Sequence, residues 1–195
     1  MGDNTMVKIA VILGSTRPGR SGEAVAHWVM EHAARRTGAE YALVDLRDHL
    51  LPHLDEPVPA LLSDQYANEH TRKWGATIAQ FDGFVFVTPE YNYSMPGVLK
   101  NVIDYLSKEW KNKAAGFVSY GSSNGARAVE QLRSVMAAVG IADVHTSVGL
   151  NLFYDFENLT VFKPKELHVA ALETMLAEVE SWAQALSPLR QQSSA

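Results

Sequence analysis

The chain has 195 residues, of which 47% are hydrophobic, and carries a formal net charge of −5 with no cysteine. That length fits one domain with a sizeable core. The missing cysteines exclude a disulfide framework, a thiolate nucleophile and a Cys-based metal site and point to the cytoplasm, and the acidic balance gives no general attraction to nucleic acid or an anionic membrane.

Residues 1–6 are too short and polar for a signal peptide, no apolar run approaches the roughly 20 residues of a membrane span, and both 1–6 and the polar tail 190–195 are expected to be flexible. The run VKIAVIL, 7–13, is apolar and β-branched, which suits a strand buried on both faces. EAVAHWVMEHAARRTG follows as an amphipathic helix, with Ala24, Val25, Trp28, Val29 and His32 on one face and Gly38 as its stop. A second strand is expected over 40–46. A long loop then runs from Arg47 to Ala60, with Pro52, Pro57 and Pro59; its length suggests that part of it borders a site. A helix is expected from Asp64 to about Gln80, and a third strand over 83–88. Ser94 can cap the next helix, with Pro96 in its first turn. Strands over 114–120 and 142–150 flank a helix over 126–140, and a long helix runs from Lys165 to Ala185. Apolar strands alternating with helices predict an α/β three-layer sandwich around a five-stranded parallel sheet, with the flavodoxin-like order 2-1-3-4-5.

In such a sheet ligands bind at the carboxyl ends of the strands, so the loops 14–22, 89–97 and 119–125 share one rim. The first, GSTRPGR and its continuation, joins a strand to a helix N-terminus, where free N–H groups and a partial positive charge point outward. Its glycines allow close backbone approach, Ser15, Thr16 and Ser21 add hydroxyls, and Arg17 and Arg20 can grip an oxyanion. These are the parts of a phosphate cradle, although neither the P-loop ending nor the G-x-G-x-x-G turn is present. A Gly/Pro turn with solvated arginines accounts for the same residues. Asp45 ends the second strand as a ribose-binding acid can, but without that glycine pattern. The second loop offers Glu90, Tyr91, Asn92, Tyr93 and Ser94, which can bed a flat heteroaromatic ligand or simply cover the sheet end. The third, SYGSSNG, has bare backbone and hydroxyls that suit a polar ligand edge or an ordinary turn. The seven histidines show no metal-ligand spacing, and Glu173, Glu178 and Glu180 read as a solvated helix face.

GSTRPGR, TPEYNYSMPGVLKNVIDYL and AGFVSYGSSNGARAVEQLR, in that order over Val7–Val148, resemble the NADPH-dependent FMN reductase family of flavodoxin-like quinone, azo-dye and chromate reductases. The resemblance implies FMN as cofactor and NAD(P)H as co-substrate. Ser15, Thr16, Arg17 and Arg20, with the amides around Ser21 and Gly22, would hold the FMN phosphate. Pro89, Glu90, Tyr91 and Asn92, with Ser94 nearby, would line the ribityl chain and one edge of the flavin, and Ser119, Tyr120, Gly121 and Ser122 would meet its pyrimidine edge. It further implies a homodimer or homotetramer, for which Val98–Trp110 is the expected interface helix. Many relatives carry Ser where Arg20 stands, Asn where Gly22 stands and Gly-Gly in place of Asn124-Gly125, so which side chain touches the phosphate is open.

The activity so implied is ping-pong transfer of hydride from NAD(P)H to bound FMN and on to a quinone, azo compound, free flavin or metal oxyanion, with no protein acid or base required. The alternative is a flavodoxin-type electron carrier without NAD(P)H turnover; the two arginines and the modest charge weigh against it.

Overall fold

The computed structural model describes residues 6–63 and 65–192. In chain order it contains β1 (Val7–Leu13), α1 (Gly22–Ala33), β2 (Ala39–Asp45), α2 (Glu69–Ala79), β3 (Gly83–Pro89), α3 (Gly97–Asp104), β4 (Ala114–Gly121), α4 (Ala126–Val139), β5 (Ala142–Asn151), the short β6 (Phe156–Glu157) and β7 (Val161–Phe162), α5 (Glu166–Ala185) and α6 (Ser187–Gln192). Five strands form one parallel sheet in the order β2-β1-β3-β4-β5, the order expected from the alternation of strands and helices.

Period-two alternation sorts the side chains of the inner strands onto two faces. Val7, Ile9, Val11 and Leu13 of β1 and Val85 and Val87 of β3 share one core with Val25 and Val29 of α1 and Leu172 and Val179 of α5. Ala10, Ile12, Phe84, Phe86 and Phe117 share the other with Trp74, Ile78, Leu99, Ile103 and Leu132 from α2, α3 and α4. β1, β3 and β4 are therefore nearly unbroken apolar runs, whereas the edge strands β2 and β5 mix buried and exposed positions. Gly116 marks the closest helix–sheet contact: a Cβ there would lie 2.9 Å from side-chain atoms of Met175 and Val179, so α5 seats on β4 only over a glycine.

Several expected boundaries move. α1 stops at Ala33, before Gly38, and Ala24 is exposed while Ala26 joins the buried face. α2 begins at Glu69; the expected start, Asp64, lies outside the described residues. Ser94 does not cap α3, and Pro96 stands just before its first turn. The expected interface helix Val98–Trp110 is not one helix. α3 ends at Asp104, and Trp110 is fully buried, with its ring 5.0 Å from that of Phe84. The acidic face of α5 is partnered: Glu180 and Glu173 take the Arg36 guanidinium at 2.6 and 2.8 Å, and Glu178 accepts from the Thr146 amide and hydroxyl at 3.0 and 2.8 Å. Of the tail expected to be flexible, residues 190–192 belong to α6, where Arg190 stands 2.9 Å from Asp82. Residues 1–5 and 193–195 lie outside the described residues. Among the described residues no helix is long and apolar enough to cross a membrane, and no group of three His, Cys, Asp or Glu could hold a metal ion.

The long connection after β2 opens with a 3-10 turn, Leu46–Asp48, and is then pinned from α3 and the residue that follows it. Asn101 donates to the Pro52 carbonyl at 2.7 Å and accepts from the Leu54 amide at 3.0 Å, and the Tyr105 hydroxyl donates to Asp55 at 2.9 Å.

Candidate functional site

The sheet order reverses at β1, whose successor β2 lies on one side and β3 on the other, and the crevice between the ends of β1 and β3 is where such sheets bind ligands. The loops after β1, β3 and β4 meet there. The Ser15 and Tyr91 hydroxyls are 3.0 Å apart, and the Glu90 amide donates to the Tyr120 carbonyl at 2.9 Å.

Residues 14–22 form a turn tied from inside. Arg20 is 5% exposed and points away from solvent. It forks onto the Asp45 carboxylate, with Nη1 2.7 Å from Oδ1 and Nη2 on Oδ2, and it also donates to the Ser15 carbonyl. Burial alone would raise the Asp45 pKa. The hydrogen bonds from Arg20 and the Arg47 amide outweigh it and hold the carboxyl below its ordinary value. Arg47 adds an outer strap, donating to the Arg17 carbonyl at 2.9 Å. Arg20 and Asp45 thus pair with each other through both Nη atoms, while Arg20 Nε is buried with no hydrogen-bond partner among the described residues. Arg17, by contrast, is exposed, and its guanidinium has no ion pair among the described residues. The amides of Thr16, Ser21, Glu23 and Ala24 find no backbone acceptor among those residues. Gly19, at φ +66°, leaves open space where a side chain would stand. What faces outward is thus one guanidinium and the positive end of α1.

Residues 89–97 are tied from outside. Tyr91 and Ser94 exchange two backbone hydrogen bonds, at 2.8 and 3.0 Å, around Asn92 and Tyr93, which stand at φ 49° and 69°. Such a turn suits Asn but not a bulky aromatic, and a side chain like Tyr93 held there costs about 1–3 kcal/mol. α4 restrains it. Gln131 donates to the Tyr93 carbonyl at 2.8 Å and accepts from the Ser94 hydroxyl at 2.5 Å. Arg127 lies 4.1 Å from the Tyr93 ring centre and pairs with Glu90 at 2.7 Å. Glu90 and Ser94 are therefore committed to α4, and Tyr91 to Ser15, while Pro89 is buried in β3.

In the third loop Ser119 turns inward and donates to the Asn124 carbonyl at 2.7 Å. Asn124 and Gly125 both stand at positive φ, and a Cβ on Gly125 would come within 2.6 Å of Ser119. Tyr120 is buried against Gly22, and burial lifts its hydroxyl well above the usual phenol range. Gly121 is buried, Ser122 is exposed, and the Ser122 amide finds no backbone acceptor among the described residues. A fourth segment joins the rim: Asn151 donates to the Ser122 carbonyl at 3.1 Å and to Asn124 Oδ1 at 2.9 Å.

This donor set fits the two ends of a flavin mononucleotide. Unspent amides with Arg17 and the Thr16 and Ser21 hydroxyls suit a phosphate, and the Ser122 region offers amides to a polar ring edge. A cleft of about 460 Å³ opens elsewhere, lined by Ala79, Phe81, Asp82 and Lys113 among others. It shares no residue with the three loops and sits at the amino ends of β3 and β4, the end that α/β sheets do not use for ligands.

Four participants have roles that escape sequence reasoning. Arg127 and Gln131 are i,i+4 on one helix face, a readable spacing, but nothing in it names loop two as their partner. Asp45 carries a signal only as the acid at a strand end. Asn151 gives none.

A family model described as NADPH-dependent FMN reductase matches residues 7–155. An NAD(P)H-dependent FMN reductase of Schizosaccharomyces pombe is 43% identical over 146 residues, 74% of this chain and 73% of that one. An NAD(P)H:quinone oxidoreductase of Solanum tuberosum is 34% identical over 147 residues, 69% of this chain and 70% of its own length. Among solved structures, a flavoenzyme NAD(P)H:(acceptor) oxidoreductase of Paracoccus denitrificans has the same fold, with TM-score 0.71 and 22% identity, over 92% of this chain and 98% of that one.

Proposed function

Because the chain belongs to the NADPH-dependent FMN reductase family, an NAD(P)H-dependent oxidoreductase family with FMN as cofactor, we propose that its three-loop rim binds FMN and passes electrons from NAD(P)H to a quinone or related small acceptor in a ping-pong scheme. The observation that carries this is the pairing on one rim of an outward anion cradle at α1 with a clamped aromatic loop after β3.

FMN, when bound, supplies the capacity to take a hydride from NAD(P)H and give electrons to a second substrate. The chain binds and orients. Arg17, the Thr16 and Ser21 hydroxyls and the amides at the start of α1 hold the phosphate. Tyr91, fixed by Ser15, and the backbone of Glu90 and Asn92 line the middle of the ligand. The Ser122 amide would meet the polar ring edge, where a preorganised donor stabilises negative charge. Arg20, Glu90, Ser94 and Ser119 serve by holding those groups in place. The Tyr93 side of the rim stays open to solvent, so donor and acceptor take turns at one face. No side chain is needed there as acid or base. The proposal includes a cytoplasmic location and a homo-oligomer, which fractionation and light scattering check.

The purified protein, loaded with FMN, is expected to be yellow, to bleach with NAD(P)H in the absence of oxygen, and to regain colour when a quinone is added. A protein that neither binds FMN nor oxidises NAD(P)H in its presence overturns the proposal. Bleaching without steady-state turnover marks an electron carrier instead.

A further inference from the structure

Tyr93 is the residue of the rim whose conformation the fold works hardest to keep. It stands at φ 69°, a region that bulky residues avoid, and it is 65% exposed, so no core packing rewards it. Residues strained in this way persist where their surroundings over-determine them, and they cluster at ligand sites. The over-determination comes from two residues one turn apart on α4: Gln131 holds the Tyr93 carbonyl and Ser94, and the Arg127 guanidinium lies 4.1 Å from the ring centre. The ring thus carries a cation at 4.1 Å and stays 65% exposed.

From this geometry, and resting on the proposed flavin rim, we infer that Tyr93 is a fixed stacking platform for a planar, uncharged aromatic electron acceptor of the quinone class. Tyr91, two residues earlier, is half-buried and bonded to Ser15, so it belongs with the resident ligand; Tyr93, at the tip of the turn, meets what arrives from solvent. Charge selects the class of arrival. Arg127 is paired with Glu90 at 2.7 Å, and the Glu90 carboxylate also accepts from the Arg127 amide at 3.0 Å, so the platform is neutral overall and offers an oxyanion nothing. A ring held still costs less ordering entropy on stacking than a mobile one, which is the advantage that offsets the strained backbone.

Two variants test this. Tyr93→Asn removes the ring but keeps a residue that tolerates the left-handed turn, and Tyr93→Phe keeps the ring. The probes are 1,4-naphthoquinone, which has a π face, and hexacyanoferrate(III), which has none. Equilibrium dialysis of naphthoquinone against the oxidised FMN-loaded protein, with no nucleotide present, is expected to show binding weakened about threefold to tenfold in Tyr93→Asn and less than twofold in Tyr93→Phe, the scale of an aromatic pair. The KM for naphthoquinone should rise in parallel, while the KM for hexacyanoferrate stays unchanged and the melting temperature does not fall, since Asn relieves the strained turn. Naphthoquinone binding that survives Tyr93→Asn, or hexacyanoferrate turnover that falls equally, overturns the platform. Wild-type protein that oxidises NAD(P)H with neither acceptor sinks the proposed function instead, and the dialysis still decides the platform.

Discussion

The loops after β1 and β3 lie side by side and are held in opposite ways. Residues 14–22 are locked from within: Arg20 turns down onto Asp45 and the Ser15 carbonyl, and this leaves Arg17 and the α1 amides facing out. Residues 89–97 are locked from outside, by Arg127 and Gln131 of α4, with Tyr93 left exposed. The contrast separates two kinds of polar residue that look alike in sequence. A charge taken out of water needs a charged partner, so a buried arginine at a site builds the site, and the ligand is met by whatever stays unspent.

The largest test of this division is Asp45→Ala. It leaves the Arg20 guanidinium buried without its carboxylate and should lower stability by about 3 kcal/mol, the low end for breaking a buried pair. Urea unfolding measures it. A loss under about 1 kcal/mol would mean that Arg20 can swing out to solvent, and the inward lock would not hold. Arg17→Ala is the complement. It should weaken FMN binding by about 1.5–3 kcal/mol, the range for a hydrogen bond to a charged group, while stability moves by no more than about 0.5 kcal/mol. Flavin fluorescence titration and a thermal melt give the two numbers. If FMN affinity is unchanged, the cradle works through its amides alone.

The outer lock is weaker. Gln131→Ala removes two hydrogen bonds from the 91–94 turn and should cost about 1 kcal/mol of stability, with faster amide exchange at Ser94 than at Arg20. Equal exchange at both amides would show that the turn holds itself through its own two backbone bonds.

The sheet was legible because its physics is periodic: apolar strands and amphipathic helices alternate along the chain, and right-handed crossovers leave few topologies. The rim was legible as a place, because chain order fixes which loops share it. The direction of each side chain was not. GSTRPGR presents two arginines three residues apart, and nothing local decides that one turns inward, because its partner Asp45 lies 25 residues on. The side-chain partners of Glu90, Ser94 and Ser119 were hidden for the same reason, since Arg127, Gln131 and Asn124 reach them through packing. The helix expected over Val98–Trp110 failed differently: Trp110 is drawn into the aromatic cluster with Phe84 and Trp74, and the chain breaks its helix to reach it. Strain at Tyr93 left no sequence mark, because backbone sign is not written in composition.

The smallest effect probes the inner lock alone. The Asp45 carboxyl titrates below its ordinary value of about 3.9 because hydrogen bonds from Arg20 and Arg47 outweigh the cost of burial. A group whose pKa is depressed by folding adds stability that is fully present above the unfolded value and is lost as pH falls through the folded one. Asp55, Asp155 and Glu173 are depressed too, so wild-type acid unfolding cannot isolate Asp45. The difference between wild type and Asp45→Asn can, because those groups are common to both and Asn keeps the shape without the titration. That difference should be constant between about pH 7 and pH 5 and shrink by some tenths of a kcal/mol or more below about pH 4. Arg17→Ala, carried through the same series, should show no such change. Parallel curves for wild type and Asp45→Asn down to pH 3 would place Asp45 outside the lock and return Arg20 to the set of residues available to a phosphate.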